Sequence, residues 1–208
     1  MRNTWMRTTL VLVLLLLLPV ACKKPPVRRI VCFGDSLTAG PHLPARDAYP
    51  ARLERILHVH GYNYEVVNAG LSGDTSEGGV ERVESVLGMQ TDIFILELGT
   101  NDILRGEPVD SIRASLSQII RKVQSRNVTV VLAAIPAPAD FSAEYRAQVS
   151  GLYRALAGEY RTPLMGDFMR EVRSAPDTLR ADGIHYNAKG ADILARSVYR
   201  KIRPLLSR

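Results

Sequence analysis

The chain has only two cysteines, Cys22 and Cys32, among 208 residues. Two thiols cannot build a disulfide framework, so the fold has to be held by its core. No internal repeat, low-complexity tract or compositional break divides the chain into two domains. No metal-ligand spacing surrounds His58 or His60, and no metal or cofactor is expected. The formal net charge of +6 is scattered rather than clustered, which argues against a nucleic-acid partner. The longest continuous apolar run, over 10–18, is too short for a comfortable membrane span of about 20 residues. No lysine follows Gly40, so the glycine-flanked stretch 34–40 is not a P-loop.

What is present suits one globular domain with a full-sized core, at 46% apolar and 23% charged residues. The first residues differ in kind. Arg2 and Arg7 precede the apolar run, which Pro19, Val20, Ala21 and Cys22 close, as in an export signal. Cys22 after Ala21 resembles the lipobox of bacterial lipoproteins, although Pro19 stands where leucine is usual. The expected division is a signal peptide over 1–21, a basic, proline-stiffened tether over 22–27 and a domain over 28–208. The resemblance implies lipidation of Cys22 and a periplasmic, membrane-anchored protein of the cell envelope. Cleavage without lipid, giving a secreted soluble protein, is the alternative. Without Arg2 and Arg7 the net charge falls to +4, which fits weak attraction to an anionic membrane surface.

The rest of the chain alternates strands and helices. Ile30, Val31, Cys32 and Phe33 form an apolar run that ends abruptly in Gly34, Asp35 and Ser36, a buried strand opening into a tight loop. Cys32 reads as a small buried hydrophobe. Helical spacing follows over 50–59, then a brief strand over 64–67 that empties into Asn68, Gly70, Ser72 and Gly73. A helix starts near Ser76, with Val80, Val83, Val86 and Leu87 inward. A nearly all-apolar strand over 92–98 ends in Gly99, Thr100, Asn101 and Asp102. A helix over 109–125, a strand over 128–135, a helix over 142–160 and a weak strand over 162–165 come next. Asp182 and His185 precede a last helix over 188–203. This alternation predicts a single three-layer α/β/α domain on a mostly parallel five-stranded sheet.

In such a sheet the loops after the strands gather along one edge, where ligands bind. Ser36, Gly73, Asn101 and the Asp182/His185 pair can therefore converge. A serine hydroxyl needs a base to become a nucleophile, and His185 is the natural one. Asp182, three residues earlier, can hold the imidazole in one tautomer. A tetrahedral oxyanion needs fixed donors, and the Ser36 and Gly73 amides with the Asn101 side chain can supply them. His42, in a proline-flanked loop, reads as solvated.

Four blocks carry a family resemblance: Gly34-Asp35-Ser36-Leu37, the Gly73 loop, Gly99-Thr100-Asn101-Asp102 and Asp182-Gly183-Ile184-His185. In this order they resemble the SGNH, or GDSL, hydrolases, and the longer strings Ser72-Gly73-Asp74-Thr75-Ser76 and Glu97-Leu98-Gly99-Thr100-Asn101-Asp102 are similar to the bacterial thioesterase I/lysophospholipase/arylesterase branch. Tyr186 follows the histidine where that branch usually has proline, and the region after Pro138 departs from its pattern. The resemblance implies a flavodoxin-like fold and cofactor-free ester hydrolysis. Ser36 would be nucleophile and oxyanion donor, Gly73 and Asn101 further donors, and His185 the base oriented by Asp182. Ile103, Leu104, Pro136, Ala137 and Pro138 could form an apolar wall for a short-to-medium acyl, aryl or lysophospholipid ester. A carbohydrate O-deacetylase on the same site and a non-catalytic ligand-binding lipoprotein are the alternatives.

Overall fold

The computed structural model describes residues 28–88 and 90–208, so the expected signal peptide, the tether and Cys22 lie outside the described residues. Strands β1 (Arg28–Gly34), β2 (Tyr64–Gly70), β3 (Ile93–Glu97), β4 (Thr129–Ala134) and β5 (Leu164–Asp167) form one sheet in the order β2-β1-β3-β4-β5. Every pairing is parallel, so the expected three-layer α/β/α fold is the observed one. The strand order reverses between β1 and β3, and that is where an open α/β sheet leaves a crevice for ligands.

Burial explains the strands. Ile30, Val31, Cys32 and Phe33 of β1, and Ile95 and Leu96 of β3, are wholly inaccessible, as central strands covered on both faces should be. Cys32 lies in this core, and burial pushes its thiol up to about 12, which leaves it an inert apolar residue. Helices α2 (Tyr49–Val59) and α8 (Ala188–Ile202) pack on one face, with α3 (Ser76–Leu87), α5 (Val109–Gln124) and α6 (Ala143–Glu159) on the other. Their stripes are the expected ones: Leu53 and Leu57 on α2, Ile112, Leu116, Ile119, Ile120 and Val123 on α5, Val149, Leu152, Tyr153 and Leu156 on α6.

Three short helices escaped the sequence reading: α1 (Ser36–Ala39), α4 (Thr100–Leu104) and α7 (Arg170–Ser174). Each is a turn long and follows a strand, too short for a periodic signal. The fifth strand also sits two residues later than expected. Thr162 turns its hydroxyl to the Val130 carbonyl at 2.5 Å, and Pro163 lacks the N–H that a ladder needs, so pairing begins at Leu164.

Candidate active site

Strand β1 ends at Gly34, and the chain turns at once into α1, whose first residue is Ser36. The Asp35 carboxylate accepts the Leu37 N–H at 2.9 Å, a side-chain N-cap that fixes the turn. It leaves the Ser36 hydroxyl at the carboxyl edge of the sheet, at the reversal point. The turn closes at Gly40, which adopts φ +69°; a Cβ there would lie 2.7 Å from that of Ala48 and 3.0 Å from the Tyr186 hydroxyl.

The Asp182 loop comes back over this edge from the far end of the chain. His185 Nε2 stands 2.9 Å from Ser36 Oγ, and His185 Nδ1 stands 2.9 Å from Asp182 Oδ2. Asp182 Oδ1 also accepts the backbone N–H groups of Ile184 and His185, each at 2.9 Å. These bonds, the His185 backbone N–H first and its ring second, hold the Asp182 carboxyl well below the usual carboxylate range. An ionised Asp182 selects the tautomer with the proton on Nδ1. Nε2 is then a free acceptor for the serine proton, at a distance suited to general base chemistry.

Tyr186, the departure from proline, is what fixes this loop. Its side chain is buried against the Gly40 turn, so the histidine loop is packed onto the serine turn. The loop is further tied by the Arg180 N–H to the His185 carbonyl at 2.8 Å and by the Asn187 N–H to the Thr178 carbonyl at 2.9 Å.

The two remaining loops supply candidate oxyanion donors. Gly73 adopts φ +82° with open space where a Cβ would stand, a left-handed turn that favours glycine. Among the described residues, the Ser36 and Gly73 amides donate to no backbone carbonyl or side chain. Asn101 Nδ2 donates to the Asp74 carbonyl at 2.7 Å, which orients its amide toward the Gly73 loop and leaves the second amide hydrogen available.

Sequence reasoning missed the groups behind these loops. Asp102 accepts the Ser76 amide at 3.0 Å and its hydroxyl at 2.7 Å, joining α4 to α3. Arg82 donates to Asp74 Oδ2 at 2.7 Å, the Ala69 carbonyl at 2.8 Å and the Gly34 carbonyl at 2.9 Å. Its guanidinium lies 3.8 Å over the Phe33 ring, so one side chain clamps the ends of β1 and β2. Glu97, wholly buried at the end of β3, accepts the Thr38 hydroxyl at 2.8 Å. Burial first, and the neighbouring Asp35 second, push its carboxyl well above the usual range. Burial likewise raises Asp35 to about 6. The Glu97 signal was visible, as an acid closing an otherwise apolar strand.

A cavity of about 630 Å³ opens beside the Ser36–His185 pair. Leu37, Thr100 and Ile184, the chain neighbours of Ser36, Asn101 and His185, form its near wall. Ile103, Leu104, Pro136, Ala137 and Pro138, the residues expected as an apolar wall, line it too. Asp167, the last residue of β5, and Arg173 of α7, joined as an ion pair, stand in the same lining. His42 is exposed; His58 and His60 each contact a backbone carbonyl, those of Tyr64 and Ile56. Among the described residues no cluster of His, Cys, Asp and Glu could hold a metal ion.

The pattern of the GDSL-like Lipase/Acylhydrolase family matches residues 32–193, most of the chain. The chain belongs to this family. Esterase TesA of Pseudomonas aeruginosa is 31% identical over 192 residues, covering 92% of this chain and 96% of that protein. The thioesterase 1/protease 1/lysophospholipase L1 of Escherichia coli is 35% identical over 179 residues, covering 86% and 85%. A crystal structure of TesA superposes with a TM-score of 0.82 at 32% identity, over 86% of this chain and 100% of that one. The GDSL chain described here is accordingly an ester hydrolase.

Proposed function

We propose that this enzyme is an exported esterase that cleaves short-to-medium acyl, aryl or lysophospholipid esters through an acyl-enzyme on Ser36. The observation that carries the reading is the continuous contact Asp182–His185–Ser36, with 2.9 Å at each step, at the mouth of an apolar cavity. His185 Nε2 takes the hydroxyl proton as Ser36 Oγ attacks the ester carbonyl. The oxyanion that forms is held by the Ser36 and Gly73 amides and the Asn101 side chain, each donor lowering the barrier by roughly 3 kcal/mol. His185 returns its proton to the leaving alcohol. A water deprotonated by the same nitrogen then attacks the acyl carbonyl, and Ser36 leaves as the free hydroxyl. No step calls for a metal or cofactor.

The cavity favours an acyl group larger than acetyl. Its volume falls in the range of sites that enclose a small organic ligand, and its walls are mostly apolar. The basic start, apolar run and small residues before Cys22 support export, with Cys22 as a lipid anchor. The test is an ester panel from acetyl to palmitoyl, with lysophospholipid and an acetylated sugar, run beside labelling by a serine-directed phosphonate. The expected result is a medium-chain optimum, phosphonate on Ser36 alone, and on the order of a thousandfold or greater loss of turnover in Ser36→Ala. Unchanged turnover in that variant would move the chemistry elsewhere, and an optimum at the acetylated sugar would make the enzyme a deacetylase.

A further inference from the structure

All five strands point one way, so the molecule has two unlike edges. The carboxyl edge carries Ser36, Asn101 and the His185 loop. The amino edge carries Arg28, the first residue of β1, about 20 Å away along a seven-residue strand. Helices α2 and α8 both run back to that amino edge and end side by side. The His60 and Tyr199 rings meet there at 4.7 Å, the Ser207 N–H donates to the Tyr64 hydroxyl at 3.2 Å, and the Arg28 N–H donates to the Asn63 carbonyl at 3.4 Å.

This end is basic. Arg55 on α2, Arg196 and Lys201 on α8, and Arg203 just beyond it form no ion pair among the described residues. Of the nearby acids, Asp192 pairs with Arg52, Glu171 with Arg200 and Asp92 with Arg28, while Glu54 accepts the Val66 N–H at 2.7 Å. Beside the free cations stands Val59, the most exposed of the large apolar residues described, at 83%. Cys22 lies only six residues ahead of Arg28, a reach of roughly 20 Å at full extension. A chain held to a bilayer at Cys22 must therefore keep its amino edge near that bilayer.

We propose that the amino edge, with Val59 among Arg55, Arg196, Lys201 and Arg203, is the face that lies on an anionic phospholipid bilayer. The tether brings this edge to the surface, and the unpaired cations are attracted by anionic headgroups within a Debye length. The Ser36–His185 pair then sits at the opposite edge, open to the aqueous side. This orientation rests on the membrane-anchored part of the functional reading and deepens it. The enzyme draws ester from solution rather than lysophospholipid from the leaflet that holds it.

The test uses the chain lipidated at Cys22, whose thiol the lipid blocks, reconstituted in vesicles that contain spin-labelled lipid, with a fluorophore on Val59→Cys or, at the carboxyl edge, on Glu107→Cys; Cys32 is buried and takes no label. On vesicles with phosphatidylglycerol, quenching at 59 is expected to exceed that at 107 at least about threefold. The difference is expected to narrow by at least about half on pure phosphatidylcholine, in about 0.5 M salt, and in the triple variant Arg55→Glu/Arg196→Glu/Arg203→Glu. The matched variant Arg105→Glu/Arg146→Glu/Arg154→Glu, with the same change in charge, keeps it. Circular dichroism checks that each variant folds. Equal quenching at the two positions on anionic vesicles, or greater quenching at 107, overturns the orientation. Aryl-ester turnover on the same samples reports separately whether the ester chemistry holds.

Discussion

At the scale of single residues, the site separates groups that react from groups that hold them. Among the described residues Asp182 bonds to the imidazole and to its own loop, so in the proposed reaction its carboxylate acts through His185. Asp182→Asn keeps the backbone acceptor but lets the amide stabilise the wrong tautomer, with the proton on Nε2. Its kcat is expected to fall by on the order of 10² to 10⁴ with KM little changed. A KM effect larger than the kcat effect in steady-state kinetics would show that the residue binds substrate. The contact of Asp182, His185 and Ser36 was legible because such an arrangement requires particular residue types in a loop after a strand and in another before the last helix. Arg82 and Asp102 were not. Their partners are backbone carbonyls and capped amides from other elements, and helical spacing gives no sign of which strand end a side chain will face.

At the scale of elements, the strands and long helices were legible because burial on both faces of the sheet forces apolar runs and the helices must show one apolar stripe to it. The one-turn helices α1, α4 and α7 were not, since four or five residues contain no period. Between these elements Arg82 is the main tie, with three charge-assisted hydrogen bonds to the ends of β1 and β2 and the loop beyond. Arg82→Leu removes the donor of the largely buried Asp74 carboxylate and one donor each of the Ala69 and Gly34 carbonyls, the latter keeping the Leu71 N–H at 2.9 Å, which is expected to cost about 2–4 kcal/mol in chemical denaturation. Because the same loop carries Gly73, kcat should fall more than KM rises. Tyr186 ties the histidine loop to α1 by packing. Tyr186→Ala opens a void against Gly40 and is expected to lose about 3–5 kcal/mol. It should lower kcat as well, whereas Tyr186→Phe, whose lost hydroxyl makes no close hydrogen bond among the described residues, should keep both stability and rate.

At the scale of the whole molecule, the enzyme stores two opposing responses to pH. Asp182 is held below its ordinary range, so its contribution to stability is present above about pH 4 and lost as the pH falls further. Asp35 and Glu97 are raised by burial, so the sign reverses. Their contribution is complete below the ordinary carboxylate range, where both folded and unfolded forms are protonated. It is lost as the pH rises toward the folded values, about 6 for Asp35, with Glu97 raised in the same direction. Over that interval the unfolded chain has released protons that the folded chain still holds, and for Asp35 alone the difference is on the order of 3 kcal/mol. Glu97→Gln removes one buried acid and relieves Asp35 of a like charge, while its amide oxygen still accepts the Thr38 hydroxyl. The thermal midpoint of the wild-type enzyme is expected to fall between pH 5 and pH 8, by about 2–4 °C per kcal/mol for a chain of this size. The variant should fall distinctly less and gain on the wild type as the pH rises. Parallel declines in the two proteins would mean that the pair behind the Ser36 turn does not titrate in this range. The same pair explains how an ester-hydrolysing site can rest on two acids: burial pushes Glu97 well above the usual carboxylate range, whereas Asp182, held below it, stands out at the rim beside the imidazole.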